Sequence, residues 1–191
     1  AEILASPANS GPADPFVWRF ALADITEDGP FSIYEGVDRI FTIINGHGVT
    51  LAFSDGTGEI RVRPFTPVQF SGDAALHCTL NDGPCQALNL FALRTQITAS
   101  VVLTELPLPN CPLRIGAAAD RHVFIFALSG TVQLGPDARL YSGEAALLTE
   151  NTDVQAVDGP ARLYLATLMQ NSAGEIQRNG ENHVIRPSAS I

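Results

Sequence analysis

The long apolar runs in this chain are about the length of a β-strand, and the longest are interrupted by Arg, Asp or Gly. "VDRIFTII" (37–44) stops at Asn-Gly, "HVFIFAL" (122–128) stops at Ser-Gly, and no stretch sustains a helical period of 3.6 with caps at both ends. Sixteen Gly and thirteen Pro provide the turns between such runs, the pattern of many short antiparallel strands. The predicted fold class is all-β, as two small barrels or sandwiches, and 46% apolar residues over 191 positions supply core for both.

"FVWRFALA" (16–23) reads as a strand, Asp28-Gly29-Pro30 as a turn, and "IRVRPFTPVQF" (60–70) as one alternating strand with its Arg residues outward. "ALNLFALRTQITASVVLTEL" (87–106) is a long β-type run, followed by the Pro-rich break "PLPNCPLRIG". Beyond that break the pattern returns: "HVFIFALSGTVQL" (122–134) can be laid on "DRIFTIINGHGVTL" (38–51). Two tandem units, 1–106 and 107–191, are the economical reading, with the tail after Gln170 expected to wrap the surface.

The eleven basic residues are all Arg, scattered singly in a chain of net charge −9. That balance argues against a nucleic-acid surface, and any anion must be held by local donors. No apolar run approaches the roughly 20 residues of a membrane-spanning helix. Cys78, Cys85 and Cys111 form no CxxC pair and are expected to be reduced thiols in a cytoplasmic protein. "AEILASPANSG" carries neither a secretory signal nor an initiator Met, so the native N-terminus is expected to precede it.

The four His, at 47, 77, 122 and 183, stand alone. The paired His on one strand, with a nearby acid and a third His, that a metal-binding β-barrel of the cupin type needs is missing, so no metal and no cofactor are predicted. No GxSxG elbow accompanies Ser32, and "SGTVQLG" and "NGHGVT" lack the features of phosphate loops. No catalytic residues are assigned.

Arg39 stands out. Strand alternation puts it on one face with Phe41 and Ile43, so a guanidinium shares an otherwise apolar surface. Its planar fork suits a carboxylate, and the partner is either internal, Asp73 or Glu35, or a bound ligand. Trp18 is the only tryptophan, and Arg19, next to it, must point to the opposite face.

Trp18-Arg19, Gly29 to Ser32, Gly36 with Arg39, Phe70 with Gly72 and Asp73, and Asn89-Leu90 with Arg94 together resemble the HutD/Ves family of cupin-like proteins. The ordered set covers about the first half of the chain. The family's usual opening, a Trp-Lys-Asn-Gly-Gly-Gly segment, is replaced by "EILASP", and Ala21 and Ala87 stand where a Ser and a carboxylate are typical. The resemblance implies a bicupin fold without metal ligands and a link to bacterial histidine utilisation. It further implies binding of a small carboxylate intermediate: urocanate, formiminoglutamate or formylglutamate. On that reading Arg39 grips the ligand carboxylate, Ser32 donates a hydrogen bond, Trp18 and Phe70 form apolar walls, and Asn89 supplies an amide. The alternative is a metal-independent isomerase or amidohydrolase using Asp73, Glu105 or His47. A homodimer is the default expectation for cupin-like chains.

Overall fold

The computed structural model describes residues 2–8, 14–109, 111–171 and 183–185, and among them every regular element is a strand. Contacts divide the chain into two units between Gln96 and Ile97. The first unit holds β1 (Glu2–Ser6), β2 (Trp18–Ile25), β3 (Gly29–Pro30), β4 (Val37–Asn45), β5 (Val49–Phe53), β6 (Glu59–Val62), β7 (Val68–Ser71), β8 (Leu76–Leu80) and β9 (Cys85–Leu93). They form an antiparallel five-stranded sheet, β1-β2-β9-β4-β7, and a four-stranded sheet, β3-β8-β5-β6.

The second unit holds β10 (Ile97–Leu106), β11 (Leu113–Ile115), β12 (Arg121–Ser129), β13 (Val132–Leu134), β14 (Ala138–Leu140), β15 (Ala145–Leu148), β16 (Thr152–Ala156), β17 (Ala161–Gln170) and β18 (His183–Ile185). Its sheets run β10-β17-β12-β15-β18 and β11-β16-β13-β14. With the edge strands β1 and β18 set aside, the strand order of the first unit recurs in the second. The sequence parallel between 38–51 and 122–134 falls on β4–β5 and β12–β13.

The two units share a local device as well. The pairing of β4 with β9 slips between Ile43 and Asn45, and that of β12 with β17 slips between Ala127 and Ser129. Each bulge is followed by a left-handed glycine, Gly46 at φ 96° and Gly130 at φ 81°. A Cβ on Gly46 would lie 2.6 Å from the Pro84 carbonyl oxygen, and one on Gly130 would lie 2.7 Å from that of Pro160. Only glycine satisfies both the backbone angle and the close approach.

Sequence expectations shift at three places. "IRVRPFTPVQF" is two strands in different sheets, β6 and β7, because Pro64 and Pro67 between them cannot donate to a ladder; Phe65 takes a left-handed φ of 57° in the connection. The long run 87–106 also breaks, at a turn in which Gln96 N–H donates to the Leu93 carbonyl. The segment Ile97–Leu106 then pairs over its whole length with Ala161–Gln170 and so belongs to the second unit, one strand earlier than the expected boundary at 106. Third, Gly29-Pro30 is a short strand on His77-Cys78 rather than a free turn. Most of the tail lies outside the described residues; of it, 183–185 pairs with β15.

Each unit has its own apolar interior. In the first, Phe41, Ile43, Val49, Leu51, Val62, Leu76 and Ala87 are fully or almost fully buried together; in the second, Val123, Ile125, Val132, Leu140, Leu148 and Val154 are. β4 is covered on both faces, which explains its near-continuous apolar sequence. β8 alternates buried Leu76 and Cys78 with exposed His77 and Thr79.

Candidate functional site: a caged arginine in the first unit

Register places Arg39 opposite Phe91 of β9 on one side and Phe70 of β7 on the other, while Phe91 lies opposite Arg19 of β2. One cross-strand row therefore reads Arg19, Phe91, Arg39, Phe70. The next row on the same face is Ala21, Asn89, Phe41, Val68, and the one after it holds Ala87 and Ile43 in the core. The interior thus grades from cationic and aromatic to purely apolar within two rows.

Arg39 is 5% exposed. Its guanidinium carbon lies 4.8 Å from the ring centres of Phe31 and Phe91, 5.2 Å from that of Phe70 and 5.8 Å from that of Tyr34, all within cation–π range. Nη2 donates to Asn89 Oδ1 at 2.9 Å and Nη1 to the Ser32 carbonyl at 3.3 Å, whereas Nε has no hydrogen-bond partner among the described residues. Burial lowers the pKa to about 10, with Tyr34 opposing the shift, so the group stays charged at neutral pH. Among the described residues no Asp or Glu makes an ion pair with it.

The internal carboxylate considered from the sequence, Asp73, is engaged elsewhere. Its Oδ1 accepts the Gly36 N–H at 2.8 Å, and its Oδ2 accepts Ser71 Oγ at 2.6 Å and Arg94 Nη2 at 2.9 Å. Arg94 Nε also reaches Asp38 Oδ1 at 2.8 Å. These bonds hold the Asp73 carboxyl well below the usual carboxylate range. A backbone clasp accompanies them: Tyr34 N–H donates to the Gly72 carbonyl and Gly72 N–H to the Val37 carbonyl. A side chain at Gly72 would meet Tyr34 O at 2.7 Å and Val37 O at 2.8 Å, so this position has no room for one. The motif residues therefore sort into two sets. Gly36, Gly72, Asp73 and Arg94 fasten the 34–37 segment, and Arg39, Phe70 and Asn89 build the cage that segment covers.

Of the residues expected at the site, Arg39, Phe70 and Asn89 meet on one face. Ser32 contributes its carbonyl rather than its hydroxyl, and its side chain is exposed. Trp18 is not brought to Arg39: it pairs with Ala92, in the row of Asp38, on the opposite face of the sheet, where it is buried edge-to-face against Phe20. Sequence reasoning missed Phe31, Tyr34 and Phe91. The period-two spacing from Asn89 points to Phe91; the other two sit in a loop that no periodicity locates. Glu35 is exposed, His47 is exposed with its ring on the Asp82 carbonyl, and Glu105 pairs with Arg162 in the second unit. Among the described residues no group of three or more His, Cys, Asp or Glu is placed to hold a metal, and no helix is long and apolar enough to cross a membrane.

The all-β chain of two-sheet units has a cupin-like fold. The fold is shared with a cupin 2 conserved barrel domain protein from Leptotrichia buccalis at a TM-score of 0.55 and 12% identity, covering 86% of each chain. The family model that matches residues 1–165 is described as HutD, and the chain belongs to the HutD family. It is 39% identical over 78 residues to an uncharacterized 21.2 kDa protein in the hutC 3′ region of Pseudomonas putida, covering 41% of this chain and 40% of that protein. It is 32% identical over 123 residues to protein Ves of Citrobacter koseri, covering 63% of this chain and 59% of the relative. The matches therefore span less than two thirds of these relatives' lengths. A conserved protein of unknown function from Pseudomonas aeruginosa PAO1 superposes with a TM-score of 0.75 at 27% identity, covering 88% of this chain and 87% of that one.

Proposed function

We propose that this protein binds a small carboxylate through Arg39 and modulates histidine utilisation as a cytoplasmic, non-enzymatic regulator. The observation that carries the reading is a buried guanidinium with a ring cage, an amide acceptor and an unpartnered Nε, but no carboxylate in ion-pair contact among the described residues. A charge taken out of water without a counter-ion is costly, and an entering carboxylate would supply one. The charge-assisted contact contributes about 1.5 to 3 kcal/mol, enough to orient a ligand. The family's link to histidine utilisation nominates urocanate, formiminoglutamate and formylglutamate as ligands.

The test is thermal denaturation of the full chain, wild type and Arg39→Ala, with each of those compounds and with glutamate and histidine as controls. Ligand at one hundred times its dissociation constant adds about 2.7 kcal/mol, or roughly 5 to 10 °C for a chain of this size. A shift seen with one pathway carboxylate and absent from Arg39→Ala supports the reading. No shift with any of them, or the same shift in the variant, overturns it.

A further inference from the structure

We infer that the outer edge of β10 is a homodimer interface, on which β10 of a second copy pairs antiparallel about a two-fold axis at Val102. The corresponding edge of the first unit is covered: β1 lies on β2 from Trp18 to Ala21. Aligned through the shared bulge, Val123 stands at the position of Arg39, and Ala99 to Val102 of β10 stand at that of Trp18 to Ala21. β10 ends its sheet, and among the described residues neither a strand nor a backbone hydrogen bond lies on its outer side.

Nothing in the strand blunts this edge. It runs from Ile97 to Leu106 in unbroken register against β17, with no proline and no bulge, and it is rich in β-branched Ile, Thr and Val. A long, regular edge of this kind is a template for a further strand. About five of its residues turn their N–H and C=O groups away from β17, as every second residue of an antiparallel pair does. A second copy fits because the strand is complementary to itself. Centred on Val102, the pairing sets Ser100 opposite Thr104, Val101 opposite Leu103 and Glu105 opposite Ala99. Val102, 58% exposed, meets its own symmetry mate, so an apolar side chain otherwise left in water gains an apolar partner. Charge allows two chains of net −9 to meet here. Glu105 is the only charged residue on the strand, it pairs with Arg162, and it lies about 20 Å from its mate, beyond the screening length.

The test is sedimentation velocity of the full chain over a dilution series. Wild type should sediment at about twice the 20.3 kDa chain mass. Val102→Lys sets two ammonium groups against each other at an exposed position and should run at the single-chain mass. In a Cys111→Ser background, Val102→Cys should form a disulfide-linked dimer on oxidation, because residues facing across the axis have Cα atoms about 4.5 to 5.5 Å apart. Ser100→Cys should not, its two copies lying about 14 Å apart. A wild type that stays monomeric, and so leaves the edge to another occupant, overturns the inference. So does a dimer that survives Val102→Lys, or crosslinking of Ser100→Cys as strong as that of Val102→Cys. Circular dichroism establishes that each variant is folded, and the two cysteine variants carry the comparison where Val102→Lys is not.

Discussion

Arg94 holds the Asp73 carboxylate at 2.9 Å, and in doing so engages one of the two acids that the sequence offered as an internal partner for Arg39. The pair is half exposed, yet Asp73 gathers Ser71, the Gly36 amide and Arg94 on one carboxyl. Its pKa is depressed in the folded state, so its contribution is present above the unfolded value near pH 4 and is lost as pH falls below it. Acid unfolding of wild type should steepen below about pH 4, and Asp73→Asn should flatten that limb. Because the same carboxyl fastens the segment carrying Tyr34, Asp73→Asn should also weaken carboxylate binding; a pH-denaturation series with a binding isotherm at pH 7 checks both.

Among the described residues Asn89 is the one side-chain acceptor for Arg39. Asn89→Leu should destabilise the chain by about 1 to 3 kcal/mol, because it strands a buried donor. Changing both residues, Arg39→Val with Asn89→Leu, copies the second unit's Val123 and Leu165. The double variant should be more stable than Asn89→Leu alone, since replacing both partners by apolar groups removes the unmet polar demand. Urea unfolding of the four proteins in this cycle measures the coupling.

Gly46→Ala and Gly130→Ala should each cost more than about 1 kcal/mol, because a left-handed backbone and a sub-van-der-Waals approach to a carbonyl act together. Gly56→Ala is the control: its φ is also positive, at 76°, but nothing lies within 4 Å of the added carbon. A smaller loss at Gly56 in chemical denaturation separates contact from backbone strain. Losses equal at all three sites would mean that strain alone sets the cost.

His122 is buried in the second unit, with Nδ1 unpartnered, and burial lowers its pKa. The unfolded chain takes up a proton near pH 6.5 that the folded chain resists, so stability should decline as pH drops below about 6.5. His122→Phe should remove that part of the slope, as read from melting temperatures between pH 5 and pH 8.

The fold was legible where side-chain period and turn chemistry agreed. Strand-length runs ended by Asn45-Gly46 and Ser129-Gly130 announced both the all-β class and the internal repeat. It was misread where local pattern hid a change of sheet: Val62 and Phe70 alternate as one strand would, but Pro64 and Pro67 split them between two sheets. The 106 boundary failed for a similar reason, since a run that is continuous in composition turns at residues 94 to 96, and only pairing with β17 assigns its second half. At the site, Arg39, Phe70 and Asn89 were legible because a polar residue among apolar ones, or a motif, marked them. Trp18 was misplaced by one step of strand parity, and the neighbour that shares the face is Arg19. Phe31 lay inside the Gly29–Ser32 motif without being assigned to the site, and Tyr34 was invisible because a loop has no period; Phe31 N–H donates to the Leu76 carbonyl, and Tyr34 is held by the clasp between Gly72 and the 34–37 backbone.

Two halves that share one strand order give mutation two separate trials of the same position. Val123 keeps hydrocarbon where Arg39 carries charge, so each spot in the pattern exists once in a conservative form and once in an inventive one. New chemistry can be tried in one half while its counterpart keeps an ordinary core. A chain organised this way can change what it recognises without having to reinvent how it folds.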